Sequence, residues 1–295
     1  MTIFRRPRFR RQTNSSSLQL TERDRQIIRH VFRHRFLRST HILALVDGSK
    51  QQTLRRLQGL YHHGYLDRPR AQIDYYRRGS RAMVYGLGNK GMALLENEDG
   101  IPKRKLDWTA GNRTAMRHFI EHTLAVAEVM VAVECSCRGT DTELIPYSDT
   151  AFKWNVPVRY DNAVVTVGII PDRVFGLRNK KQPAEIAWIF LEADRATMPV
   201  QRRSLKQTSF ARKLLAYHET WQRKVLAADF PRFRVLTVTT SPERVENLLN
   251  ANCSFSQGKG SGLFLFTDQR EFHHRTNVLS QPIINGRGEL ITLVE

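Results

Sequence analysis

The sequence predicts an α/β protein, α+β overall, in two parts: a small basic helical unit with a β-hairpin, then a larger unit in which helices and strands alternate. Three observations predict it. Residues 20–62 hold three successive runs of apolar side chains at helical spacing, each preceded by a Thr or Ser suited to cap a helix. A short apolar hairpin follows them. Beyond residue 115, one long helical run leads into branched, strand-like runs interrupted by two more helices. With 295 residues, the chain is long enough to bury two separate cores.

In order, Met1 to Arg11 is basic with no apolar run, which excludes a signal peptide. Residues 1–17 are expected to be a disordered basic arm, either one whose arginines add phosphate contacts without base specificity or a plain solubilising tail. Leu20 to Leu37 is the first helix: Thr21 caps it, Asp24 takes the capping-box position, and Ile27, Ile28, Val31 and Phe32 form its apolar stripe. Ser39 caps a second helix through Ile42, Leu43, Leu45 and Val46, and Asp47-Gly48 makes a turn. Ser49 caps the third. Leu54, Leu57, Leu60 and Tyr61 recur on one of its faces, while Lys50, Gln51, Gln52, Arg55 and Arg56 offer long donors that reach base edges and phosphates in a major groove. Gly64 stops this helix, and Tyr65 and Leu66 begin a strand. Arg77, Arg78 and Arg81 occupy the hairpin tip, before a second strand from Met83 to Leu87. Three helices and such a wing make a winged helix-turn-helix, expected over residues 18–96. A fourth helix opens at Asn89 and is expected to pack on its side or pair subunits. Residues 97–114 mix Gly, Pro and charge without periodicity and read as a linker, leaving 115–295 as the α/β domain.

The formal charge of +19 is unevenly spread. Residues 1–117 hold 25 Lys and Arg against 9 Asp and Glu, and the remainder 22 against 19. So one-sided an excess points to a polyanion. No transmembrane-length apolar run or lipid-binding helix accompanies it, so double-stranded DNA is the expected partner rather than a membrane. Cys135, Cys137 and Cys253 leave one thiol over whatever bridge is drawn, and a C-x-C pair on a helix points its thiols apart. Reduced thiols and a cytoplasmic location are expected.

In the second part, Ala115 to Cys137 is a long helix, followed by strands over Glu143–Tyr147, Ala163–Ile170 and Ile186–Leu191. A basic helix is expected from about Gln201 to Leu226, then a strand over Phe233–Thr239, a helix over Ser241–Ala251 and a strand over Gly262–Thr267. The SQGKGSG loop has no Walker spacing. Two acidic clusters mark strand ends: IIPDRVF with Asp172, and FLEADR with Glu192 and Asp194. Alternation along a strand sends Glu192 and Asp194 to one face, where Asp172 on a neighbouring strand can meet them. Clustered carboxylates are how proteins hold Mg²⁺, which polarises phosphate and activates water.

Pro171-Asp172 followed by a strand ending in Glu-x-Asp, with a helix before it, resembles the restriction-endonuclease-like PD-(D/E)xK nuclease superfamily. Together with the N-terminal half, the phrase LEADRATM resembles the replication-relaxation family of plasmid and mobile-element proteins, over roughly residues 18–270. The resemblance implies a winged helix joined to a restriction-endonuclease-like α/β domain. It also implies a role in replication initiation, DNA relaxation or mobilisation beside a relaxase or replication protein, with a homodimer open. The superfamily's third motif ends in lysine, and Asp194 stands at that place. Three readings stay open: a lysine supplied from the next helix, Lys206 or Lys213; a degenerate site; or acids that merely pair with Arg195, Arg202 or Arg203. The resemblance thus implies Asp172, Glu192, Asp194 and Lys206 as catalytic residues and Asp172 and Glu192 as Mg²⁺ ligands of a nuclease or nickase. A plain winged-helix transcription regulator is the further alternative, and it leaves the acids without a role.

His118, Glu121 and His122 fit the H-x-x-E-H zinc-protease spacing, but no downstream third ligand is evident and the rest is unlike a protease. Packing or capping roles, or a place near the carboxylates, are expected instead. His30 and His34 lie among arginines and read as surface contacts.

Overall fold

The computed structural model describes residues 8–12, 17–73, 82–102, 107–147, 152–160, 163–204, 206–256 and 258–294. It divides into two compact units, Met1–Ala127 and Glu128–Glu295. Among the described residues, no helix is long and apolar enough to cross a membrane.

In the first unit, α1 (Glu22–His34) is opened by a complete capping box in which Thr21 and Asp24 satisfy each other's backbone amides. The helix is shorter than its apolar pattern promised. Arg35 turns to φ 66°, and Phe36–Arg38 become β1. The next helix, α2 (Ser39–Leu45), starts one residue early, with Arg38 at its cap. Gly48, at φ +113°, makes the turn into α3 (Lys50–His62), where the Ser49 hydroxyl accepts from the Gln52 amide. A three-stranded antiparallel sheet closes the unit in the order β1, β3 (Val84–Leu87), β2 (Leu66–Asp67). Leu66 pairs with Leu87, and Asp67 with Gly86. Past Asp67 the ladder would reach Pro69, which has no N–H to give. The buried Gln72 side chain stands in: its amide donates to the Val84 carbonyl at 2.9 Å and its oxygen accepts from the Val84 amide at 2.8 Å.

The helix α4 (Asn89–Glu98) follows. The segment read as a linker contains a further helix, α5 (Trp108–Thr114), capped by Asp107. Its Asn112 is fully buried, donating to the Leu87 carbonyl at 2.7 Å and accepting from Arg35 at 2.7 Å. That placement makes α5 part of the first core. The long helix α6 (Arg117–Cys137) carries the division between the units. The N-terminal arm is likewise not wholly loose. Arg11 donates to the Tyr61 and Leu66 carbonyls and pairs with Asp67 at 3.4 Å, and Arg68 donates to the Arg8 carbonyl.

The second unit is built on a seven-stranded mixed sheet in the order β12-β11-β10-β9-β8-β7-β4. Its strands are β4 (Thr142–Pro146), β7 (Arg173–Asn179), β8 (Ile186–Ala193), β9 (Phe233–Thr239), β10 (Phe264–Asp268), β11 (Ile283–Asn285) and β12 (Leu290–Ile291). The central trio β8, β9 and β10 is parallel and the flanking pairs antiparallel. A separate antiparallel pair, β5 (Trp154–Tyr160) and β6 (Ala163–Ile169), packs by way of Val156, Val158, Val167 and Ile169 on the same core. The α7 helix (Phe210–Gln222) begins nine residues later than Gln201, because its cap is Ser209, whose hydroxyl accepts from the Arg212 amide. The last helix is α8 (Pro242–Phe255). Phe190 on β8 sits at the centre of the core, stacked on Phe233 at 4.7 Å and edge-on to Phe230 at 5.1 Å. The second half of β8, Ile189–Ala193, is buried on both faces, as suits the centre of a parallel trio, and Glu192 is the one charged residue it carries there.

Candidate functional site

The candidate side chains fall into two sets, one in each unit. In the first, α3 exposes Lys50, Gln51, Gln52 and Arg55. Its inward side is Thr53, Leu57, Leu60 and Tyr61. Leu54, expected on that apolar face, is instead 38% exposed, because 100° per residue carries it round beside Lys50 and Gln51. Arg56 also departs from its expected role. Its guanidinium donates to the fully buried Asp24 carboxylate from both Nε, at 3.0 Å, and Nη2, and to the Gln19 carbonyl at 2.8 Å. Burial pushes the Asp24 carboxyl up, but the Arg56 and Thr21 hydrogen bonds outweigh it and hold that carboxyl below the ordinary range. Arg56 is thus a clamp between α3 and the start of α1, and the exposed row is Lys50, Gln51, Gln52 and Arg55. Arg77, Arg78 and Arg81 lie outside the described residues.

In the second unit, sheet register assembles the acids. Asp172 precedes β7, its amide donating to the Leu191 carbonyl at 3.0 Å, while its carboxylate accepts from the Ala193 amide at 2.8 Å. This seats it beside the end of β8, where Glu192 lies 2% exposed, opposite Thr237 of β9. One turn of α7 then delivers two groups to Glu192 from positions i and i+4. The Lys213 ammonium pairs with one oxygen, and the Tyr217 hydroxyl donates to the other at 2.6 Å. Burial is the main force on Glu192. Together with repulsion from Asp172 it outweighs the pull of Lys213, and the carboxyl is raised to about 7. Burial opposes the Lys213 charge, but Glu192, Asp172 and Asp194 more than restore it and raise its basicity. Tyr217 is pushed up by burial and by the adjacent Glu192, so it remains a neutral donor.

Asp194 does not join them as strand alternation led us to expect. β8 ends at Ala193, and beyond it Asp194 turns to a different set of partners. It accepts from Thr239 at 2.7 Å, from Arg244 of α8 at 2.8 and 3.2 Å, and from the Ala196 amide at 3.0 Å. Arg244 also donates to the Met198 carbonyl at 2.6 Å, fixing the chain that leaves the strand. Asp172, Glu192 and Asp194 are not among the three-donor groups whose ligand atoms fall within 4.8 Å of one another. Asp172 lies close enough to raise the Glu192 carboxyl, and both Glu192 oxygens already serve Lys213 and Tyr217, so a divalent cation would draw on Asp172 and on the remaining lone pairs of Glu192.

The lysine beside Glu192 is Lys213 rather than Lys206, which sits exposed in a turn before α7 with its amide on the Ser204 hydroxyl. Sequence reasoning missed Tyr217 and Arg244. The i, i+4 spacing of Lys213 and Tyr217 was a legible signal for the first, and no local pattern marked the second. The H-x-x-E-H residues belong to the part of α6 that falls in the first unit, and the carboxylates belong to the second; Glu121 pairs with Arg117 at 2.9 Å, and neither His118 nor His122 belongs to a three-donor group among the described residues. His34, expected at the surface, is buried.

The profile of the replication-relaxation family matches residues 28–231, more than half of the sequence and parts of both units. The chain belongs to the replication-relaxation family. Membership connects it with the replication or relaxation of plasmids and mobile elements. No curated protein and no solved structure matches it.

Proposed function

We propose that this replication-relaxation protein binds duplex DNA of a plasmid or other mobile element and acts there in replication initiation, relaxation or mobilisation. Its first unit works as a winged helix, with α3 as the reading helix. The observation that carries the proposal is the exposed row Lys50, Gln51, Gln52 and Arg55 on a helix otherwise held by its apolar side. Those donors match the major-groove edges of purines, and the basic surplus of residues 1–117 supplies the phosphate attraction. Binding to a family of duplexes, measured by fluorescence anisotropy over a salt series, tests it. Arg55→Ala is expected to cost about 1–3 kcal/mol for a preferred sequence. A protein with no duplex affinity at low salt, or unchanged by Lys50→Ala and Arg55→Ala together, would overturn the reading.

A second reading is favoured by one observation, the meeting of Lys213 with Glu192 beside Asp172. In that reading the second unit is a restriction-endonuclease-like nuclease or nickase whose motif lysine comes from the following helix. Mg²⁺ held by Asp172 and Glu192 would polarise the scissile phosphate and activate water. Lys213 holds a charged ammonium where it neutralises charge developing on phosphate, and Tyr217 fixes the second Glu192 oxygen. Asp194 acts through Arg244 on the shape of the chain and touches no reacting atom in this scheme. Supercoiled plasmid incubated with Mg²⁺ should convert to open circle, and Asp172→Asn or Lys213→Met should abolish the conversion. Nicking that survives both changes would remove the assignment.

A further inference from the structure

We propose that the second unit holds a groove for single-stranded nucleic acid on the side of α7 turned away from Glu192. At 100° per residue, Lys213 and Tyr217 share one side of this helix, while Ala211, Leu215, His218 and Gln222 share the opposite one. Two hollows, of about 530 and 610 Å³, adjoin along that opposite side, sharing Arg159, Glu219 and Gln222, and together outline a channel. Each falls within the range of about 300–1,000 Å³ that accommodates a nucleotide-sized ligand.

The lining chooses the ligand. Arg159, on the outward face of β5, and Arg202, in the approach to α7, are exposed, and neither side chain makes a hydrogen bond or ion pair among the described residues. The acid in the channel, Glu219, is neutralised by Arg223 at 2.8 Å. Among the described residues no acid matches these two guanidiniums in the channel, and together they call for an anion. Beside them the His218 and Phe255 rings line the channel 5.4 Å apart, and Trp221, 51% exposed, stands next to that lining with its ring 6.4 Å from that of His218. Burial holds His218 below its ordinary basicity, so it presents a neutral ring. Cationic walls that track a backbone above rings that accept base faces are the physical requirements for holding an unpaired strand. A duplex hides its base faces and has no use for such rings. The proposal is independent of both readings of function above, since none of these residues belongs to α3 or to the acid and lysine cluster.

The test uses the full chain and a fluorescein-labelled twelve-nucleotide oligothymidylate, followed by anisotropy at low salt. Binding is expected, with Arg159→Ala/Arg202→Ala weakening it about tenfold or more and His218→Ala about as much, stacking being worth about 1–3 kcal/mol per base. Duplex affinity should stay as in the parent protein. Cross-linking of a 5-iodouracil strand should label the peptides holding His218 or Phe255. Four results would each overturn the proposal: no oligothymidylate binding; affinity unchanged in the double variant; thymidine monophosphate competing as well as the strand; or polyglutamate binding the channel where oligothymidylate does not.

Discussion

Replacing Arg56 with alanine separates a fold clamp from a DNA contact, because the two roles predict opposite results. Asp24 is fully buried, and Arg56 covers it from a side chain that is 26% exposed. Removing one partner of a fully buried ion pair costs about 3–5 kcal/mol, since the other charge is left without compensation. Two features reduce that here. Asp24 keeps its Thr21 hydroxyl and amide donors, at 2.7 and 2.8 Å, and Arg56 is partly hydrated. A loss of about 2–3 kcal/mol in the first unit follows. The sign with pH is fixed by the depressed Asp24 carboxyl: its contribution is present above the ordinary value of 3.8 and fades as pH falls through the lower folded value. The Arg56→Ala penalty should be full at neutral pH and shrink in strong acid. Hydrogen exchange followed by mass spectrometry on peptides from α1 and α3 reads this unit by itself. Faster exchange in both helices, with duplex affinity near that of the parent at temperatures where the unit is folded, is the expected outcome. Unchanged exchange with duplex affinity lost by tenfold or more would mean that Arg56 works on DNA and that the clamp is incidental.

Asn112→Ala should destabilise the first unit by about 1–3 kcal/mol, because the Leu87 carbonyl and Arg35 both lose a buried partner; urea unfolding monitored at Trp108, with the other tryptophans replaced, would measure it. Arg244→Ala leaves the buried Asp194 with only the neutral donors Thr239 and the Ala196 amide, and a loss of about 2–4 kcal/mol is expected in calorimetry of the second unit, largely restored by Asp194→Asn in the same chain. Tyr217→Phe removes the donor to Glu192 and should cost about 1–2 kcal/mol while leaving the surrounding aromatic packing in place, as judged by near-ultraviolet circular dichroism.

The elements that could be read from the sequence were those whose local signals agree with tertiary demand. Thr21 with Asp24, and Ser49 with the stripe Leu57, Leu60 and Tyr61, place α1 and α3 because the capping chemistry is local. What escaped was decided at a distance. Phe36 and Leu37 continue a helical pattern, yet they serve a strand because Gly86 and Tyr85 pair with them. Trp154–Tyr160 hid as a strand because Pro157 interrupts the pattern, and a proline is tolerated in a two-stranded pair where one edge faces outward. Residues 108–114 looked like linker because their anchor is a buried Asn rather than an apolar stripe. In the acid cluster, Asp172 and Glu192 were legible from their strand ends. Asp194 was misplaced because alternation holds only while the strand lasts, and its partner Arg244 lies fifty residues away.

Gln72 has a bearing on how copies of this protein can meet. A strand flank with vacant amides and carbonyls invites a foreign strand to extend the sheet, the usual route to fibrils and swapped dimers. Here β2 ends after two residues, and the vacancy it leaves on β3 is filled from within by a side chain that offers both a donor and an acceptor. The flank is closed chemically, at the cost of a single glutamine. A Gln72→Leu chain would keep much of the bulk and reopen that flank to strand exchange.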